Sequence, residues 1–200
     1  MVSAHKERFE VEDFDQRVIL HDVSWDDFEA FLAMRGDAPS PRIKYLEGEL
    51  ELMSPSRHHE HLKSWIGRLV ETYAEVFDIE ISPYGSWLLK NQPRERGAEP
   101  DECYVLGLEP LKKDVPDLAI EVVWTSGGLD KLEIYRGLGV GELWWWKNER
   151  IEVFVLRGEH YVKVEHSELL PDLDLDLLLA HVDAPSLTTA KRRYRAALTK

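Results

Sequence analysis

The sequence predicts a mixed α/β fold in which a central sheet is flanked by helices. Three observations carry this reading. Apolar residues keep helical spacing for about four turns between Leu62 and Phe77. The run PDLAIEVVW (116–124) is almost continuously apolar and rich in β-branched residues. Helical and extended patterns alternate along the rest of the chain. The 200 residues are 44% apolar and 32% charged, enough for a sizeable core and too apolar for a disordered chain. No repeat or Pro/Gly linker divides them, so one domain over 1–200 is expected.

The elements follow in order. In SWDDFEAFLA, Ser24 can cap a helix whose dipole suits Asp26 and Asp27, with Trp25, Phe28, Phe31 and Leu32 on one stripe. The breakers RGDAPSP end it. YLEGELELM alternates strictly and predicts one strand, with Leu46, Leu50 and Leu52 inward and Glu47, Glu49 and Glu51 on a wet face. SPSRHHEH opens the long helix, with Ser and Pro as start signals. IEISPYGSWLLK predicts a broken strand, NQPRERGAEP a loop, DECYVLGL a short strand and EPLKKDV a loop. PDLAIEVVW predicts a strand covered on both faces, TSGG a turn, and DKLEIYRGLG a helix capped by Asp130 and ended by Gly139. VGELWWWKNERIEVFVLRGEHYVKV predicts a three-stranded meander. PDLDLDLLLAH is a short helix or turn, and the basic tail over 185–200 is helical.

Composition limits function. No stretch reaches the roughly 20 apolar residues of a membrane helix, and the N-terminal segment has no apolar signal core. A cytoplasmic protein without a membrane partner is expected. The lone cysteine, Cys103, excludes an internal disulfide and a Cys-built zinc site. Net charge is −13; because the last ten residues carry five basic groups and no acid, residues 1–190 carry −18. Such a surface repels nucleic acid unless basic groups are concentrated locally or metal ions intervene.

A few residues could carry chemistry. Glu121 is the one charge inside the apolar strand, where an ionised carboxylate needs a cation, a hydrogen-bond donor or a raised pKa. The alternative is an edge strand with Glu121 in water. Asp101 follows Pro100 at the start of the preceding strand; it reads either as turn chemistry or as a second carboxylate sharing a divalent cation with Glu121. Lys131, in the first turn of the next helix, could steady an attacking water or developing phosphoryl charge, or could be a solvated lysine. His58, His59 and His61 cluster at a helix start without a zinc-like partner pattern. Trp144, Trp145 and Trp146 alternate across a strand, which favours packing on both faces over base stacking. Lys90, Arg94, Arg96, Arg57, Lys63, Arg68 and the tail are possible phosphate contacts, each also readable as an ordinary solvated face.

The ordered set GELELMSPSRHHEH, AEPDECYV and PDLAIEVVWTSGGLDKLEIYRGLGVGELWWW resembles the bacterial Uma-type family of restriction-endonuclease-like proteins. That family is placed in the PD-(D/E)XK nuclease superfamily, and the similarity spans residues 24–165. It implies a restriction-endonuclease-like core and Mg²⁺- (or Mn²⁺-) dependent hydrolysis of phosphodiester bonds in DNA. By the same resemblance Asp101 and Glu121 are the metal ligands, and Asp101, Glu121 and Lys131 the catalytic set. Val123 stands where the parent motif has lysine, so the basic group comes from Lys131 on the following helix. Lys44 stands where relatives carry an acid, which leaves Glu49, ahead of Glu51, as the supporting acid. His59 matches a position where the family keeps histidine and is a second support. Cutting a duplex would need paired sites, hence an expected homodimer. The rival expectation is a nuclease-fold protein without catalysis, working as an interaction or structural module.

Overall fold

A computed structural model describes residues 14–123 and 128–199. Its strands form two sheets, where the sequence predicts one. The first is antiparallel, in the order β1 (Gln16–Leu20), β3 (Glu49–Ser54), β2 (Arg42–Leu46), β6 (Arg96–Ala98), β5 (Leu89–Asn91). The second is mixed, in the order β11 (His160–Val164), β10 (Arg150–Arg157), β9 (Glu142–Lys147), β8 (Leu118–Val122), β7 (Glu102–Leu106), β4 (Ile81–Pro83). Only β8 and β9 run parallel among its pairs, joined by a crossover through α3 (Lys131–Leu138). Both strands of that parallel pair are covered on both faces, as their apolar runs require.

Three expectations are corrected here, each for a local reason. YLEGELELM is not one strand: Glu47 and Gly48 take positive φ, +45° and +89°, and fold the segment into the β2–β3 hairpin. NQPRERGAEP is not all loop: after a short 3₁₀ turn at Gln92–Arg94 the chain forms β6 between β2 and β5. The broken strand at 79–90 is divided between sheets, β4 in the second and β5 in the first. The expected turn TSGG lies outside the described residues apart from Gly128.

The helices follow their sequence signals. Ser24 caps α1 (Trp25–Arg35) in a full capping box with Asp27. Ser56 caps α2 (Arg57–Val76), whose Leu62, Ile66, Leu69, Val70 and Tyr73 enter the main core. Asp130 caps α3, and Gly139, at φ +82°, ends it. Two more helices follow, α4 (Leu175–Leu179) and α5 (Leu187–Leu198), the second lying along α2.

Strand β8 is the partition of the core. Leu118, Ile120 and Val122 face the α2 side with Trp144 and Trp146. Ala119 faces the α3 side with Cys103, Ile134, Tyr135 and Leu143, and alternation puts Glu121 on that face too. A third cluster joins α1 to the first sheet, where Phe28 stacks on Tyr45 with ring centroids 4.7 Å apart.

Gly97 on β6 passes directly under that pair: a Cβ there would lie 2.6 Å from the buried Phe28 ring. Gly97→Ala is therefore expected to destabilise the fold by about 1–3 kcal/mol, read as a lower urea midpoint at unchanged slope. An unchanged midpoint would show that α1 does not press on β6 in this way.

Candidate active site

The chain passes from the first sheet to the second at Glu99-Pro100-Asp101, between the end of β6 and the start of β7. Glu99 ties this crossing to the first sheet, accepting two bonds of 2.7 Å from Arg35 and one of 3.1 Å from the Ile43 amide. Asp101 ties it to the second, its Oδ2 accepting from the Val122 amide at 2.7 Å. Asp101 therefore sits beside Glu121, and both side chains are 0% exposed.

Two neighbouring carboxylates without water need compensation, and it comes from several elements. Strand β2 sends Arg42 and Lys44 inward at i and i+2. Arg42 binds Asp101 Oδ1 and, at 2.7 Å, Glu60. Lys44 Nζ lies 3.1 Å from Glu121 Oε2. From α3, Lys131 binds the same Oε2 and the Tyr135 hydroxyl donates to Oε1. From α2, His59 Nε2 lies 2.9 Å from Asp101 Oδ1, close enough for an ion pair although off the hydrogen-bond direction. Its Nδ1 lies 3.0 Å from Asp15, which also accepts from the Ser56 amide at 2.8 Å.

The protonation states follow from these neighbours. Burial pushes both carboxyls up, but the cations win. His59, Arg42 and Lys44 hold Asp101 well below the usual range, and Lys131 and Lys44 lower Glu121. Burial works against both ammonium groups with different results: Lys131 is raised by Glu121 and Asp101, whereas Lys44 is lowered despite Glu121. Burial and the adjacent Glu121 push the Tyr135 phenol well above its ordinary value, so it remains a donor. His59 loses to burial but gains more from Asp101 and Asp15, and rises to about 9.

Asp101, Glu121, Lys131 and His59 are thus brought together, and Glu49 is not. Glu49 and Glu51 share a face of β3, but Glu49 pairs with Leu46 beside the hairpin turn, about 7 Å further along the strand. There it meets His21 at 2.9 Å, with His21 exposed and Glu49 partly so. Glu51 pairs with Lys44 instead and is buried at 1% exposure, accepting from the Leu129 amide at 2.9 Å with Arg17 at 3.3 Å. The remaining histidines of the cluster, His58 and His61, lie along α2 in a row with Trp65, His61 and Trp65 having centroids 4.5 Å apart.

Sequence reasoning missed Arg42 and Tyr135. Each had a signal: Arg42 shares strand parity with Lys44, and Tyr135 lies four residues after Lys131 on one helical face.

The donor set can be tested against a metal. Among the described residues, no group of three or more His, Cys, Asp or Glu side chains is arranged to hold one. Two hard carboxylates side by side are nevertheless the donors magnesium takes when substrate oxygens and waters complete its shell. Asp101 and Glu121 are donors of that chemical kind, but every oxygen of the two already has a protein partner, and they do not form an all-protein cage.

The mixed α/β core with two sheets and flanking helices is that of a restriction-endonuclease-like fold. The family model Uma2, described as "Putative restriction endonuclease", matches residues 25–189, and the chain belongs to that family. Comparison with curated proteins finds no match. Among the described residues, no helix is long and apolar enough to cross a membrane.

The His59 contacts make a pH prediction. Because its folded pKa is raised, the stabilisation is complete below its ordinary value of 6.5 and disappears as pH climbs through about 9. Wild type is expected to lose up to about 3 kcal/mol of stability over that window, a slope absent from His59→Gln. Equal unfolding free energies of wild type at pH 6.5 and 9.5 would contradict the charged imidazolium.

Proposed function

We propose that this protein is a magnesium- or manganese-dependent endonuclease hydrolysing phosphodiester bonds in DNA through a PD-(D/E)XK-type site. The observation that carries the reading is the meeting of Asp101 and Glu121, both fully buried, with Lys131 on Glu121. Asp101 and Glu121 would hold the ion. The chemistry supplied there when it is bound is polarisation of the phosphate and a lower pKa for a coordinated water.

The chain's own residues supply the rest. Lys131 offers a charged ammonium, on a flexible stem, to the negative charge developing on phosphorus. Tyr135 keeps its proton and fixes one oxygen of Glu121, leaving the other to the lysines. Arg42 and the Asp15–His59 pair hold the Asp101 carboxylate in one orientation. Because a metal ion at Glu121 would have to displace ammonium contacts there, Lys44 and Lys131 would serve as its internal counterions when none is bound. That saturation of both carboxylates also supports a second reading, a nuclease-fold interaction module without catalysis. A homodimer pairing two such sites is the form that would cut both strands.

Cleavage of supercoiled plasmid with 5 mM Mg²⁺ or Mn²⁺ (about the millimolar regime of weak carboxylate sites) separates the two. Asp101→Asn and Glu121→Gln are expected to lower the rate on the order of a hundredfold or more, with both variants folded by circular dichroism. Calorimetry should show metal binding to wild type and its loss in Asp101→Asn. Cleavage unchanged in both variants, or no metal binding by wild type, would overturn the nuclease reading.

A further inference from the structure

The basic groups of this acidic chain are mostly paired with its own carboxylates. Lys90 lies 2.8 Å from Glu29, Arg68 2.9 Å from Glu71 and Lys63 3.2 Å from Glu60. Arg94 lies 3.6 Å from Glu159. Arg96 is buried between Glu47 and Glu133. The sequence offers all five as phosphate contacts, and each is neutralised in place.

Helix α5 is different. Lys191, Arg192 and Arg193 make no ion pair with a described carboxylate, and Arg192, Arg193 and Arg195 are exposed. Lys147 and Arg150 are in the same condition, but they flank the short β9–β10 turn on either side of Glu149. On α5, by contrast, Thr188, Lys191, Arg192 and Arg195 fall at i, i+3, i+4 and i+7, one face of the helix. They line a depression of about 480 Å³ with a single acid, Glu75, which pairs with Arg195 at 2.7 Å. Every basic group within it except Arg195 is available to an outside anion.

We infer that this α5 face is an anchoring surface for the phosphate backbone of a nucleic acid, separate from the buried carboxylate site. The inference rests on the endonuclease reading for the identity of the polyanion. Several cations spaced along one helix face suit a chain of phosphates better than a single small anion. An anionic membrane is the other surface that a basic helix could meet. Here, however, the apolar side of α5 is already used: Ala190 and Tyr194 are fully buried against α2 in the main core. No large apolar side chain of the helix is exposed to enter a lipid interface. Glu75 also gives the position of the patch. It lies 16 residues beyond His59 on α2, about 24 Å along the helix axis. A substrate reaching both places must extend past the cleavage point by about seven base pairs.

The test uses the full chain and its triple variant Lys191→Gln/Arg192→Gln/Arg195→Gln, with Arg192→Glu as a milder second variant. Fluorescence anisotropy with a 30-base-pair duplex (about twice the span required on both sides) is followed in EDTA across a salt series. Binding should weaken about tenfold at low salt in the triple variant. The slope of log affinity against log salt should become shallower by about one for each phosphate no longer neutralised. Equal affinities and slopes in all three proteins would overturn the anchor while leaving cleavage by wild type to speak for the nuclease. Loss of duplex binding in a protein that never cleaves would uphold the anchor and sink the nuclease reading. Binding of wild type to phosphatidylserine vesicles, but not to the duplex, would overturn the anchor in favour of a membrane contact.

Discussion

The structure depends on keeping two negative charges out of water side by side. Placing either carboxylate in an apolar interior costs several kcal/mol, and their mutual repulsion adds to it. Asp101 and Glu121 are tolerated because cations reach them from three directions: β2, α2 and α3. This requirement dictates where the two sheets meet. The chain leaves the first sheet at Ala98 and enters the second at Glu102, so the acid at the crossing can be answered by basic groups on β2. Without Lys44 and Arg42 pointing inward, the same junction would hold uncompensated charge.

Burial of an acid is not in itself a sign of chemistry, and the chain contains its own control. Glu142 is as buried as Glu51, yet its partners are the Ser167 hydroxyl, the Trp144 indole at 2.6 Å and the Glu168 amide at 2.9 Å. Those donors pin the 165–170 segment against β9, a structural role for a carboxylate satisfied by neutral groups. What distinguishes Glu121 is the kind of partner: two lysines and a tyrosine on one acid, beside a second acid with an arginine and a histidine. As a mere staple such a cluster is unfavourable, since apolar side chains of the same volume would hold the junction with no charge to desolvate. Its presence is in keeping with the function proposed for the site.

Much of this was legible in the sequence, for reasons that differ from part to part. The helices were readable because caps and periodicity are local: Ser24, Ser56, Asp130 and Gly139 each act within one turn. Strand β8 was readable because a strand buried on both faces leaves a continuous apolar run, and Glu121 stood out against it. The separate first sheet was not readable. Its existence turns on a two-residue reversal at Glu47-Gly48 and on the three-residue strands β5 and β6, too short to show alternation. The sequence leaves Glu49 and Glu51 undistinguished for the same reason. Without the hairpin register, nothing tells which of two carboxylates on one face lies opposite Lys44 and which lies at the tip. Arg42 and Tyr135 depend on long-range pairing across 59 and 14 residues, and only their spacing from Lys44 and Lys131 hinted at them.

The surrounding cations hold both buried carboxyls below their ordinary range, and the ionised pair this implies is what everything proposed for the site rests on. Carbon-13 NMR of protein labelled at aspartate and glutamate carboxyl carbons measures it directly, with Asp101→Asn and Glu121→Gln supplying the assignments. Both resonances are expected to keep the carboxylate shift from neutral pH down to about 4, below which the exposed acids have begun to titrate. Protonation of either group at or above neutral pH would contradict the ionised pair. It would mean that burial, not the ring of lysine, arginine and histidine, decides the charge of the site.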